Sequence, residues 1–78
     1  MEIEITPGWF LWTHDAPAGT QMWRPTLRNS DMGYVEIDRD GDLEVELAED
    51  RTRTYIPMGA LVALAAAHVE YLNANREG

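Results

Sequence analysis

The sequence predicts an α+β fold, a small antiparallel β-sheet of four or five strands in a meander with one C-terminal α-helix packed on one face. Three observations carry this reading. Residues 34–47 alternate apolar and acidic side chains around a glycine-containing turn, residues 57–73 carry apolar side chains at three- and four-residue spacing, and residues 2–13 hold a short alternating segment and a short aromatic one split by Pro7 and Gly8.

The alternating segment is the most explicit. Val35, Ile37, Leu43, Val45 and Leu47 alternate with Glu36, Asp38, Asp42, Glu44 and Glu46, the period of half-buried strands. The break is Asp38-Arg39-Asp40-Gly41. A two-residue loop would mix acids and apolar groups on each face of the hairpin. A three-residue loop, Arg39 to Gly41 with a bulge at Gly41, pairs Asp38 with Asp42, Ile37 with Leu43, Glu36 with Glu44 and Val35 with Val45, and so segregates the faces. This second register is the one the sequence favours.

A further strand over 52–56 is expected to pair with 42–47, because Glu46 then faces Arg53 and Leu43 faces Ile56. Pro57 suits the first turn of a helix, where its missing N–H costs nothing. From there Met58, Leu61, Val62, Ala65, Val69 and Leu72 form an apolar stripe that should cover the sheet. Ile3 and Ile5 alternate with Glu2 and Glu4 in a first strand, 2–5; Thr6-Pro7-Gly8-Trp9 reads as a type II turn, and 9–13 as a second strand. Residues 14–20 read as a loop, 21–24 as a short strand and 26–33 as irregular. The expected core is Ile3, Ile5, Val35, Ile37, Leu43, Val45, Ile56, Leu61, Val62, Val69 and Leu72.

Length and composition bound the rest. At 78 residues the chain is a single domain, since a chain this short buries only about 60% of its unfolded surface and cannot be divided between two cores. The absence of cysteine excludes disulfides, thiolate metal sites and thiol nucleophiles. A formal charge of −8 argues against direct contact with nucleic acid or an anionic membrane, both of which need a basic surface. No apolar run reaches the roughly 18 residues of a membrane span, and the first residues lack the basic and apolar regions of a secretory signal, so the expected location is cytoplasmic.

The most unusual feature is the acidic hairpin. Between Glu36 and Asp50 lie eight carboxylates and one arginine, and the favoured register sets Glu36 against Glu44 and Asp38 against Asp42. Like charges directly across two strands are destabilising, so folding alone does not select them. A solvated, solubilising face is the plainer reading. The functional one is a docking surface for the basic, nucleic-acid-binding face of a partner protein, whose sharpest form is an inhibitor or nucleic-acid mimic such as small phage proteins use against host defence. Residues on one strand face repeat at roughly 6.6 to 6.8 Å, close to the spacing of successive phosphates. The carboxylates of Glu36, Asp38, Asp42, Glu44 and Glu46 would steer and dock such a partner, with Trp12, Trp23 or Tyr34 as apolar anchors.

Other constellations carry less. The acids from Glu36 to Glu44 partly match a calcium-binding loop, but the first position is Glu, the twelfth is Leu47, and strands replace the flanking helices. His14-Asp15 is a weak base-and-orienter pair, because neighbours on extended chain point apart. His68 lies on the flank of the helix stripe and reads as a packing residue. With no metal donor set, phosphate loop or nucleophile elbow, the sequence predicts a non-catalytic protein without a cofactor. The rival reading is self-assembly: Ala60, Ala63 and Ala67 fall away from the expected apolar stripe, where small side chains would let a second helix approach in a homodimer.

Overall fold

The computed structural model describes residues 2–13, 24–30, 33–48 and 55–74. It consists of strands β1 (Glu2–Thr6), β2 (Trp9–Trp12), β3 (Thr26–Asn29), β4 (Gly33–Ile37) and β5 (Leu43–Leu47), followed by helix α1 (Met58–Ala74). The strands form one antiparallel sheet in the order β1-β2-β3-β4-β5, and α1 packs on one side of it. This is the meander and C-terminal helix that the sequence pattern predicts.

Turn chemistry sets the registers. Gly8 has φ +83°, the value required at the third position of a type II turn, and its N–H donates to the Glu4 carboxylate at 3.2 Å. At the other end of the sheet, Glu36 faces Glu44, Val35 faces Val45 and Ile37 faces Leu43, around a three-residue loop whose Gly41 has φ +88°. The Asp38 N–H donates to the Asp42 carbonyl at 2.8 Å, closing the pair next to the turn. The favoured hairpin register is the observed one.

Pairing carries a single apolar row across the sheet, from Ile3 through Leu11, Leu27 and Val35 to Val45. Its centre is buried and its ends are not: Leu27 is fully enclosed, whereas Ile3 and Val45 are nearly half exposed. The helix explains the difference, because among the described residues it packs on β1 to β4 and does not touch β5. Leu43 and Val45, expected in the core, are therefore exposed. Trp9, Leu11, Leu27 and Val35 from the sheet and Ala60 and Leu64 from the helix form the core, with Ile5, Ile37, Ile56, Ala63 and Ala67 packed at its margin. Burial of Leu27 alone contributes about 1.5–3 kcal/mol.

Three expectations are corrected. The third strand lies at Thr26–Asn29, a stretch that reads as irregular because Leu27 is its only apolar residue; of the expected 21–24 strand, residues 21–23 lie outside the described residues. Pro25, just ahead of β3, is buried at no hydrogen-bonding cost because it has no N–H to satisfy. Of the expected strand 52–56, residues 52–54 lie outside the described residues, while Tyr55 and Ile56 lead into the helix without strand pairing. Here the Pro57 carbonyl accepts from Ala60 at 3.0 Å and Leu61 at 3.2 Å, so Pro57 caps the helix that begins at Met58.

The third correction concerns the helix face. Ala60, Leu64 and His68 are buried against the sheet, while Met58, Val62, Val69 and Leu72 point outward. The helix is turned by roughly a third of a revolution from the expected orientation, at about 100° per residue. Size complementarity accounts for it: the sheet presents Trp9, Leu11 and Leu27, and small alanines opposite them let the helix axis come close.

Candidate functional site: the acidic and aromatic outer face

The sheet face away from the helix follows from the pleat. Trp9 and Leu11 are buried on the helix side, so Phe10 and Trp12 point to the other. Two rows of outer residues then cross the sheet. One runs Glu4, Phe10, Arg28, Tyr34, Glu46; the other runs Glu2, Trp12, Thr26, Glu36, Glu44, its middle step closed by a 3.4 Å hydrogen bond from the Thr26 hydroxyl to the Glu36 carboxylate. Aromatic rings hold the centre, and carboxylates hold both edges. With strands about 4.8 Å apart, the acids of β1 and β5 stand roughly 19 Å from each other.

The two edges differ electrostatically. On the β1 side Arg28 reaches back to Glu2, Nε to Oε2 at 2.9 Å and Nη2 to Oε1 at 3.3 Å, a two-point pair that neutralises this acid. On the β5 side Glu36 accepts from Thr26 and Glu46 accepts from the Tyr34 hydroxyl, both neutral donors. Among the described residues Glu44 has no hydrogen-bond or ion-pair partner. The negative charge where β4 and β5 meet therefore has no cationic partner among the described residues. It acts on Tyr34, whose phenol is held above its ordinary pKa of 10.0, first by its hydrogen bond to Glu46, then by the Glu46 charge, and further by burial and by Glu36 and Glu44.

Glu36, Glu44, Glu46, Trp12 and Tyr34, all expected at a docking surface, share this face. No protein-family model matches the chain, and no curated protein or solved structure is significantly similar to it. The remaining expected residues fall elsewhere. Asp38 and Asp42 sit at the hairpin turn, where one Asp38 carboxylate oxygen accepts the N–H groups of Asp40 at 2.9 Å and Asp42 at 3.0 Å, which makes Asp38 a turn-forming residue. The hairpin acids do not converge on a cation position, and among the described residues no group of three or more metal-donor side chains does so. Trp23, His14 and Asp15 lie outside the described residues.

Of the expected dimer seam, Ala60 is buried against this chain's own sheet, and Ala63 and Ala67 are partly buried at the margin of its core. Glu2 and Glu4 of the first strand join the outer face, together with Phe10 and Arg28. Alternation alone puts Phe10 beside Trp12, but placing β1 and β3 next to the acidic hairpin requires the strand order. Among the described residues, no helix is long and apolar enough to cross a membrane.

Proposed function

We propose that this protein is a non-catalytic binding module whose outer sheet face docks a basic protein surface, of the kind that binds nucleic acid. The observation that carries the reading is the composition of one continuous face: Phe10, Trp12 and Tyr34 at the centre, Glu2 and Glu4 along one edge, and Glu36, Glu44 and Glu46 along the other. An apolar, aromatic middle inside a charged rim is the anatomy of a protein-binding hot spot. Glu44, which has no ion-pair partner among the described residues, contributes steering and selects arginine- or lysine-bearing partners. A lone solubilising function for these acids would not call for aromatic side chains between them. Occupation of a partner's nucleic-acid groove, hence inhibition, is the most specific form of this reading.

The test is capture of partners by the tagged protein from extract of its own source cell at low and high salt. Glu44→Lys combined with Glu46→Lys should abolish capture, and Tyr34→Ala should weaken it. Asp40→Lys, at the exposed turn and off the face, should leave it intact. Capture indifferent to salt and to the Glu44 and Glu46 reversals would refute the proposal.

A further inference from the structure

Helix α1 carries two apolar stripes, and the sheet uses one. The other consists of Met58, Val62, Ala65, Val69 and Leu72, all exposed, with Met58 72%, Val62 61%, Val69 56% and Leu72 53% accessible. Their intervals are four, three, four and three residues, the repeat that keeps a seam facing a second helix across two heptads. Val62 and Val69 take the a positions and Met58, Ala65 and Leu72 the d positions. Val at both a positions, with Leu72 at one of the three d positions, is in keeping with two-stranded pairing.

We propose that this stripe is the surface on which a second copy of this chain docks, forming a two-fold symmetric dimer through α1. Charge selects the occupant. Each copy carries −8, and from Met58 to Ala74 the helix bears Glu70 as its single formal charge. The helix is thus a surface on which two acidic copies can meet without setting carboxylate against carboxylate, whereas a basic partner would set its cations against hydrocarbon. Geometry agrees with it. Ala65 is the midpoint of the stripe, and a small residue there lets the axes approach to about 8 Å. The seam is about 21 Å long at 1.5 Å per residue, a short contact that suits a reversible monomer–dimer equilibrium. The inference is independent of the docking role of the outer sheet face, which lies on the opposite side of the sheet.

Sedimentation equilibrium between about 1 µM and 1 mM protein tests it. The expected result is a reversible monomer–dimer equilibrium that Val62→Glu with Val69→Glu shifts at least a hundredfold towards monomer. Ala74→Glu, exposed on the same helix and away from both the seam and its flanking positions, should leave it within twofold. Circular dichroism checks that each variant is folded. Because the chain has no cysteine, Ala65→Cys supplies a second readout. A two-fold axis at the midpoint places residue 65 beside its own copy whether the helices run parallel or antiparallel, so mild oxidation should give a disulfide-linked dimer. A monomer throughout the range with no cross-link, or a dimer unaffected by the Val62 and Val69 substitutions, would overturn the proposal.

Discussion

Glu36 and Glu44 stand directly opposite each other on β4 and β5, on the sheet face that the helix leaves uncovered. Neither meets a cation among the described residues. Two carboxylates in this arrangement repel across about 5 Å, and the fold tolerates it because Val35 with Val45 and Ile37 with Leu43 hold the same strand pair in register. Glu44→Gln keeps the side chain's size and removes the repulsion. It should stabilise the protein by about 0.2–1 kcal/mol at low ionic strength, and added salt should erase most of the gain. Urea denaturation at two salt concentrations measures both, and a loss of stability on neutralising Glu44 would mean that its charge is paired.

That relationship was legible in the sequence, and the reason is local. Within residues 34–47 the apolar and acidic side chains are strictly out of phase, so one register alone separates them, and Gly41 supplies the left-handed residue its loop needs. The helix was legible as a helix but not in its orientation. Between Met58 and Ala74 apolar residues lie on most of the circumference, so periodicity does not say which stripe meets the sheet; the bulk of Trp9 and Leu27 decides it, and that is a property of the packed pair. Strand β3 was hidden for a related reason. Leu27 is fully enclosed, yet its neighbours Thr26, Arg28 and Asn29 give no alternation to read. The outer face was half legible: its hairpin acids, Phe10 and Trp12 follow from local pattern, while the contribution of Glu2, Glu4 and Arg28 depends on strands brought together by topology.

Gly33 lies opposite Leu47, where β4 leaves no room for a side chain against the β5 backbone. Its φ is +126°, and a Cβ there would lie 1.9 Å from the Glu46 carbonyl oxygen, a backbone atom that cannot swing aside. Gly41 has a similar sign of φ but open space around it. The pair separates steric clash from backbone strain. Gly41→Ala should cost about 1–2 kcal/mol, the strain alone. Gly33→Ala adds a displacement of β5 and should cost about 3 kcal/mol or more, a fall in Tm of roughly 12–24 °C for a chain of this size. Thermal melts of the two variants give the comparison, and equal losses would show that the β4–β5 approach is soft.

Tyr34 reports the potential of the outer face through its ionisation. Its hydroxyl donates to the Glu46 carboxylate, and the surrounding acids oppose a phenolate, so it titrates above 10.0. In the unfolded chain these neighbours disperse and the ordinary value returns. The folded state therefore holds the proton more tightly, its contribution to stability is complete below pH 10, and it is lost as pH rises through the raised folded value. Phenolate absorbance should show a late-titrating tyrosine that Tyr34→Phe removes and Glu46→Gln moves back towards 10. The stability of the wild type should fall more steeply above pH 10 than that of Tyr34→Phe.

His68 is the buried polar residue of the helix face that meets the sheet, and its Nδ1 finds no hydrogen-bond partner among the described residues. Its ring lies 5.6 Å from that of Tyr71, tilted by 34°, so packing holds it in place. A buried polar atom without a partner loses its hydration and receives nothing in return, and an apolar group of similar shape avoids that loss. His68→Leu should raise stability by about 1 kcal/mol, a gain of roughly 4–8 °C in Tm. His68→Asn, which keeps a polar group but shrinks the side chain, should lower it. If both substitutions destabilise to a similar degree, then the imidazole makes a hydrogen bond that Leu cannot replace, and His68 holds the helix to the sheet by more than its volume.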